Sequence, residues 1–425
     1  MKQNSFVIKG DICYSADKKT LLTFKDHYLI CLDGNSAGVF ENIPEEYSKL
    51  EIHDYSGLLV VPGLVDLHIH APQFTLRGLG MDDELLDWLN NLTFPEESRY
   101  SDMEYARAAY TDFAEVMRLG ATTRACIFGT THVPATELLM EYMEATGLHT
   151  YVGKVNMDRN CPAIMVEDTG KSVKDTEEWI NFCKSRGFLN TKPMLTPRFI
   201  PTCSDKLMQL LREIQEKYAL PLQSHLSENP AEIEWVKELC KESKFYGDAY
   251  DSFKLFGRDV PTIMAHCVYS EENELSRIKE NGVFIAHCPQ SNTNIASGIA
   301  PVRKFLDMGI NCGLGSDVAG GASESILRAM ADAIQMSKMR WRLQDKNLKP
   351  LTFEEVFFLG TKGGGEFFGR VGSFEKGYEF DAVVFDDAVP SYHSPLTLRQ
   401  RLERHAYLSN GRGTAHKFVC GTQIF

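Results

Sequence analysis

At 425 residues, with 43% hydrophobic and 24% charged residues, the chain has the make-up of a globular protein with a large core. Its formal net charge of -13, with no basic run, gives no electrostatic support to binding nucleic acid. No apolar stretch approaches the roughly 20 residues that span a bilayer, and the apolar run before Lys9 is too short for a signal-peptide core.

In chain order, the first sixty residues read as short strands: "SFVIKGDICYSA", "HYLICLD" and "GLLVVPG", separated by turn residues. From Val65 the rhythm changes to apolar runs alternating with helical patterns. Eight candidate strands follow: "GLVDLHIHA", "ATTRACIFG", "HTYVGKVNMD", "KPMLTPRFI", "PLQSHLSEN", "PTIMAHCVYS", "GVFIAHCPQS" and "NCGLGSDVAG". Segments such as "SDKLMQLLREIQEKYAL" and "NPAEIEWVKELCKES" between them carry helical periodicity. Eight strand–helix units predict an α/β fold, a TIM (β/α)8 barrel over 65–369. A helical insertion around 82–100 forms either a lid over the barrel mouth or plain core. At the C-terminal end, "GRVGSFEKGYEFDAVVFDD" reads as a glycine-punctuated hairpin and "AHKFVCGTQIF" as a last strand. Residues 1–64 and 370–425 are therefore expected to pair into one small flanking β-sandwich domain. The eleven cysteines lie scattered from Cys13 to Cys420 without CxxC pairs, which suits free thiols in a reducing cytoplasm.

Active sites of such barrels sit at the C-terminal ends of the strands. His68 and His70 end the first strand, and side chains at i and i+2 project to one side. Arg198 ends the fourth, His225 the fifth with Glu228 three residues on, His266 the sixth, His287 the seventh and Asp317 the eighth. Each has a plainer reading: a hydrogen-bonded core histidine, a turn aspartate, a carboxylate at a helix start, a surface arginine. Together, at one end of one barrel, they point to a metal site. Imidazoles with a carboxylate suit zinc or divalent iron, and a metal with an open position makes water nucleophilic near neutral pH. A nearby carboxylate must then move protons, a role Glu228 is placed to take. Metal-assisted hydrolysis is the chemistry these residues imply.

"PGLVDLHIH", the single histidines on strands five and six, the aspartate on strand eight and the tail "GRVGSFEKGYEFDAVVFD" together resemble the amidohydrolase superfamily over nearly the whole chain. Within it, "HIHAPQ", "LLDWLNNLTFPEE", "GKVNMD", "TPRF", "SHLSEN", "AHCPQSN" and "GLGSDVAGG" are similar to motifs of its guanine-deaminating members. The resemblance implies one zinc, or alternatively iron, held by His68, His70, His225 and Asp317. It implies that His266 polarises the metal-bound water, that Glu228 shuttles a proton to a ring nitrogen, and that Asp317 accepts one from the attacking hydroxyl. Guanine would be read by Gln73, Arg198, Phe199 and His225, would lose ammonia from C2, and would leave as xanthine. A homodimer is implied by the family alone.

Two variants are discounted. Binuclear members bridge two metals with a modified lysine, for which Lys154 is the candidate, but two metals need more ligands than stand here. The unrelated zinc deaminase fold needs PCxxC, which is absent. A related purine, pterin or triazine aminohydrolase is the alternative enzyme, and a non-catalytic assembly protein is disfavoured by the intact ligand set. No role is left for His287.

Overall fold

Two kinds of sheet divide the chain. The computed structural model describes residues 4–388 and 394–425. Of the span expected to form the β-domain, residues 1–3 and 389–393 lie outside the described residues.

Four strands come first: β1 (Phe6–Asp17), β2 (Thr20–Leu32), β3 (Asn35–Phe40) and β4 (Glu51–Pro62). Ten parallel strands or strand pieces follow: β5 (Leu64–His70), β6 (Thr122–Phe128), β7 (His149–Gly153), β8 (Val155–Asn156), β9 (Thr191–Pro193), β10 (Thr196–Pro197), β11 (Leu222–Leu226), β12 (Thr262–His266), β13 (Phe284–His287) and β14 (Cys312–Leu314). Three more close the chain: β15 (Ala382–Phe385), β16 (Thr414–Val419) and β17 (Thr422–Gln423).

The parallel strands form two four-stranded sheets, β5-β6-β7-β9 and β11-β12-β13-β14, with β8 paired to β10. Every residue of β5, β6 and β12 is buried, as expected of strands covered on both faces, whose sequences run apolar without alternation. Backbone bonds join the sheets at both edges. On one side Leu195 N–H donates to Pro221 O at 2.9 Å and Gln223 N–H to Leu195 O at 3.0 Å. On the other, Asp317 N–H donates to His68 O at 2.8 Å and His70 N–H to Val318 O at 3.1 Å. Strands three and four of the sequence reading are each found as two short pieces. In the fourth, Pro193 and Pro197 lack the N–H a continuous ladder needs; Lys154 interrupts the third.

The helices between strands follow their sequence signals. Asp205–Tyr218 buries Leu207, Met208, Leu211 and Ile214 on one face and is capped by Ser204, whose hydroxyl accepts from Leu207 N–H. Pro230–Leu239 begins with a capping box of Asn229 and Glu232. The insertion after β5 is helical, as expected: Leu85–Trp88, a wider π-helical turn over Leu89–Thr93, then Phe94–Ser98.

The remaining strands form one seven-stranded sheet, ordered β17-β16-β15-β4-β1-β2-β3, built from both chain ends. Two expectations need correcting. The ladder is continuous rather than divided into two sandwich sheets, because the twelve-residue β1 pairs with both β2 and β4. The hairpin expected over 369–387 is absent: only Ala382–Phe385 is a strand, and it pairs with β4 and β16. Gly372 and Gly377 have positive φ (79° and 82°), which bends the chain before it through turns instead.

β4 passes into β5 through Gly63, where an added Cβ would lie 2.1 Å from Thr123 Oγ1, so only glycine fits. The β-sheet is anchored at the N-terminal end of β6, away from His68 and His70. Lys417 Nζ donates to the carbonyls of Met117 (2.9 Å), Gly120 (2.8 Å) and Thr122 (3.1 Å). Arg124 bonds Asp381 through Nε at 2.6 Å and Nη2 at 3.0 Å. No helix among the described residues is long and apolar enough to cross a membrane.

Candidate active site

Each polar side chain at the C-terminal ends of the parallel strands is delivered by a strand end and held by a local device. Asp66, buried in β5, accepts from the backbone N–H groups of His68 and Ser316 and from the Ser316 hydroxyl at 2.6 Å, tying β5 to the loop after β14. Gly315 lets that loop cross His68, since a Cβ there would sit 2.9 Å from His68 Cβ. The loop then presents Asp317 with φ 48°, and His266 leaves β12 with φ 74°. Side-chain-bearing residues avoid this left-handed region unless surrounding structure imposes it, and such positions cluster at functional sites.

These devices aim one set of atoms at a single point. His68 Nε2 lies 3.2 Å from His70 Nε2, and His70 Nε2 lies 3.4 Å from His225 Nε2. Asp317 Oδ1 is 3.1 Å from His68 Nε2 and 3.4 Å from His70 Nε2. Burial holds all three imidazoles below their ordinary pKa, so they are neutral; Asp317 partly opposes this at each, and the other histidines reinforce it at His70 and His225. His225 Nδ1–H donates to Arg198 O at 2.6 Å, which leaves its Nε2 lone pair facing the cluster. Burial pushes Asp317 up, but His68, His266 and His70 outweigh it and hold the carboxylate ionised. Neutral imidazoles with converging lone pairs beside an ionised carboxylate are what a divalent cation requires, and the set fits a metal.

His266 differs from these three. Burial lowers its pKa, but Glu228 and Asp317 more than reverse this and hold it above the ordinary imidazole value. Its Nε2 faces Glu228 Oε2 at 3.4 Å and Asp317 Oδ2 at 3.7 Å, while Nδ1 meets Asn292 Oδ1 at 2.8 Å. Glu228 is fully buried, and burial lifts its carboxyl to about 7, with His266 opposing and Asp317 adding. The Ser297 hydroxyl donates to its Oε1 at 2.8 Å.

The cavity in front of this cluster, ≈ 410 Å³ counted out to solvent, has a second wall of different character. There Gln73, Arg198 and Phe199 meet Leu85, Trp88 and Leu89 of the insertion. The insertion is therefore a wall of the cavity as well as core. Arg198 donates to Glu97 Oε2 at 2.6 Å and lies 5.0 Å above the Phe94 ring; Gln73 Nε2 donates to Glu97 Oε1 at 2.8 Å. Phe199 packs edge-on to Trp235.

The amidohydrolase family model matches residues 59–423. The chain belongs to the amidohydrolase family. It is 37% identical to guanine deaminase of Dictyostelium discoideum, over 94% of this chain and 88% of that protein. It is 33% identical to guanine deaminase of Escherichia coli strain K12, over 88% and 85%. Its fold matches the crystal structure of a C. acetobutylicum guanine deaminase with guanine bound in the active site. The TM-score is 0.95 and the identity 44%, with coverage of 99% of this chain and 100% of that one.

This amidohydrolase brings together every site residue expected from its sequence: His68, His70, His225, His266, Asp317, Glu228, Gln73, Arg198 and Phe199 all meet in the cluster or line the cavity. Two histidine-like or cationic candidates stay outside it. Lys154 Nζ is paired with Glu167 and the Val155 carbonyl, which leaves it unavailable to bridge metals. His287 is buried, and burial followed by His266 pulls it down to about 3. Cys288 lies close to His68, His266 and Asp317, but burial holds its thiol well above the usual range, so it stays protonated. Four contributors were given no role from the sequence: Glu97 and Asn292, although the motifs "LLDWLNNLTFPEE" and "AHCPQSN" end on them, Ser297, and the capping-box residue Glu232, whose carboxylate takes the N–H of Glu228 at 3.0 Å and the hydroxyl of Tyr246 at 2.7 Å.

Proposed function

We propose that this amidohydrolase deaminates guanine hydrolytically, giving xanthine and ammonia. The observation that carries the reading is the pairing of two walls in one cavity. One is a set of neutral imidazoles with Asp317; the other is an amide and a guanidinium, Gln73 and Arg198, suited to a flat heterocycle. A planar guanidinium matches the O6/N7 edge of guanine, and an amide offers a donor and an acceptor side by side. The similarity to guanine deaminases over most of the chain supports the same substrate.

In this reading His68, His70, His225 and Asp317 hold one divalent metal, zinc before iron, on ligand chemistry. That group supplies Lewis acidity, which makes water nucleophilic near neutral pH. The chain's own residues do the rest. Gln73, Arg198 and Phe199 place C2 of the ring against the cluster, with His225 beside it. Glu228 takes a proton from the attacking water and delivers it to the ring nitrogen next to C2. His266, anchored by Asn292, polarises the same water. Asp317 accepts the second proton as the oxygen adds and passes it to the exocyclic amino group, so that the C2–N bond breaks to release ammonia and both carboxylates return to their starting state. Guanine and water thus balance against xanthine and ammonia.

We read the two parallel sheets as one closed barrel, supported by the backbone bonds at both shared edges. The absence of disulfides among the eleven cysteines supports a reducing, cytoplasmic setting. A homodimer is proposed from the family and is tested by light scattering. The substrate is tested by ammonia release from guanine against adenine, cytosine, 8-oxoguanine and a pterin; a faster reaction with any of these overturns the choice of guanine.

A further inference from the structure

We infer that Glu97, carried on the insertion helix Phe94–Ser98, is a positioning residue that sets substrate choice by fixing Gln73 and Arg198. The inference rests on the guanine reading and adds to it the group that makes the purine-reading wall rigid.

Glu97 is 1% exposed and has one oxygen on each reader: Oε1 accepts from Gln73 Nε2 at 2.8 Å and Oε2 from Arg198 at 2.6 Å. The Gln73 amide is thereby over-determined. A backbone N–H can only donate, so the Ala319 N–H, 3.1 Å away, demands Oε1 on its side. An ionised carboxylate can only accept, so Glu97 demands the amide nitrogen on the other. The amide cannot flip without losing both bonds. One N–H and one lone pair remain for a ligand, in a fixed order. Arg198 is fixed likewise, between the Glu97 carboxylate and the Phe94 ring, both from the same short helix. Its remaining N–H groups can face the cavity.

A neutral amide at this position would remove the order. Glu97→Gln offers either an oxygen or an amino group to Gln73, so both amide orientations become available, and it leaves the Arg198 charge buried without its partner. Glu97 touches no reacting atom, so its loss acts on recognition rather than on chemistry.

The test is a double-mutant cycle of Glu97→Gln with Gln73→Ala in the metal-loaded enzyme, with KM, kcat, metal content and Tm recorded. The expected result for Glu97→Gln is a rise of at least tenfold in KM for guanine, with kcat within about threefold of the parent and one metal per chain. The preference for guanine over adenine narrows, and the effect shrinks when Gln73 is already Ala, because the two act through one contact. Glu97→Asp, which keeps the charge and shortens the reach, falls between the two and covers the case in which the glutamine variant does not fold. An unchanged KM, additive effects, or a fall in kcat alone would overturn the inference. Wild-type enzyme without guanine turnover overturns the substrate reading and this inference with it; active wild-type with an unaltered Glu97→Gln overturns this inference alone.

Discussion

Glu228 has the surroundings a proton carrier needs: full burial, the His266 imidazole 3.4 Å from one oxygen and the Ser297 hydroxyl on the other. Replacing it with Gln keeps shape and removes the basic oxygen. Turnover should fall by roughly 10²–10⁴ while bound metal stays constant by elemental analysis; loss of metal would make Glu228 a ligand instead. Because burial raises its carboxyl to about 7, the group is protonated at low pH and cannot begin the transfer there. A bound cation would lower that value. The kcat/KM profile should therefore have an acid limb with its midpoint no higher than about 7, and activity that climbs as pH drops below 6 would contradict the assignment. His287, neutral and outside the converging atoms, gives the opposite expectation: His287→Ala should keep kcat and KM within about threefold. A dead variant that has lost its metal would mean the ligand set is drawn wrongly, and a dead variant with normal metal content would give His287 a catalytic role.

At the scale of elements, what the sequence made legible follows from periodicity. His68 and His70 end a run of buried residues, and His225, His266 and Asp317 end others. The end of the parallel sheets that carries the cluster can therefore be placed from such runs without coordinates. Glu97 could not be found that way. It lies 24 residues from Gln73 and 101 from Arg198, on a helix whose pattern is equally that of core, and only side-chain contacts reveal its role. The same holds for Ser297, in a stretch without periodicity, and for Asn292, which ends the motif "AHCPQSN" but whose contact with His266 only the side chains reveal. The hairpin expected before β15 failed for a related reason: glycines mark a turn, but they do not say whether the flanking residues pair with each other or with a distant strand. The join between sheet and barrel offers its own test. Lys417 serves three carbonyls at once, so Lys417→Met should cost about 2–4 kcal/mol in denaturant unfolding, by leaving buried acceptors unpaired. Since it sits at the N-terminal end of β6, kcat should be retained in the folded fraction; a stable but inactive variant would show that the two ends of the barrel are coupled.

Over the whole molecule, the parallel sheets and the seven-stranded sheet divide the work. The continuous sheet built from both chain ends fastens under the strand starts, while strand ends, loops and the insertion enclose one cavity with a charged, metal-suited wall and a planar-ring wall. The account stands or falls on whether both walls act together on one substrate. The most direct measurement is ammonia and xanthine formed from guanine by purified protein of known metal content, before and after chelation and after zinc is returned. The account predicts equal amounts of the two products, loss of turnover on chelation and its recovery with about one metal per chain. Metal-loaded protein that leaves guanine unchanged, or turnover that survives complete removal of metal, would contradict it.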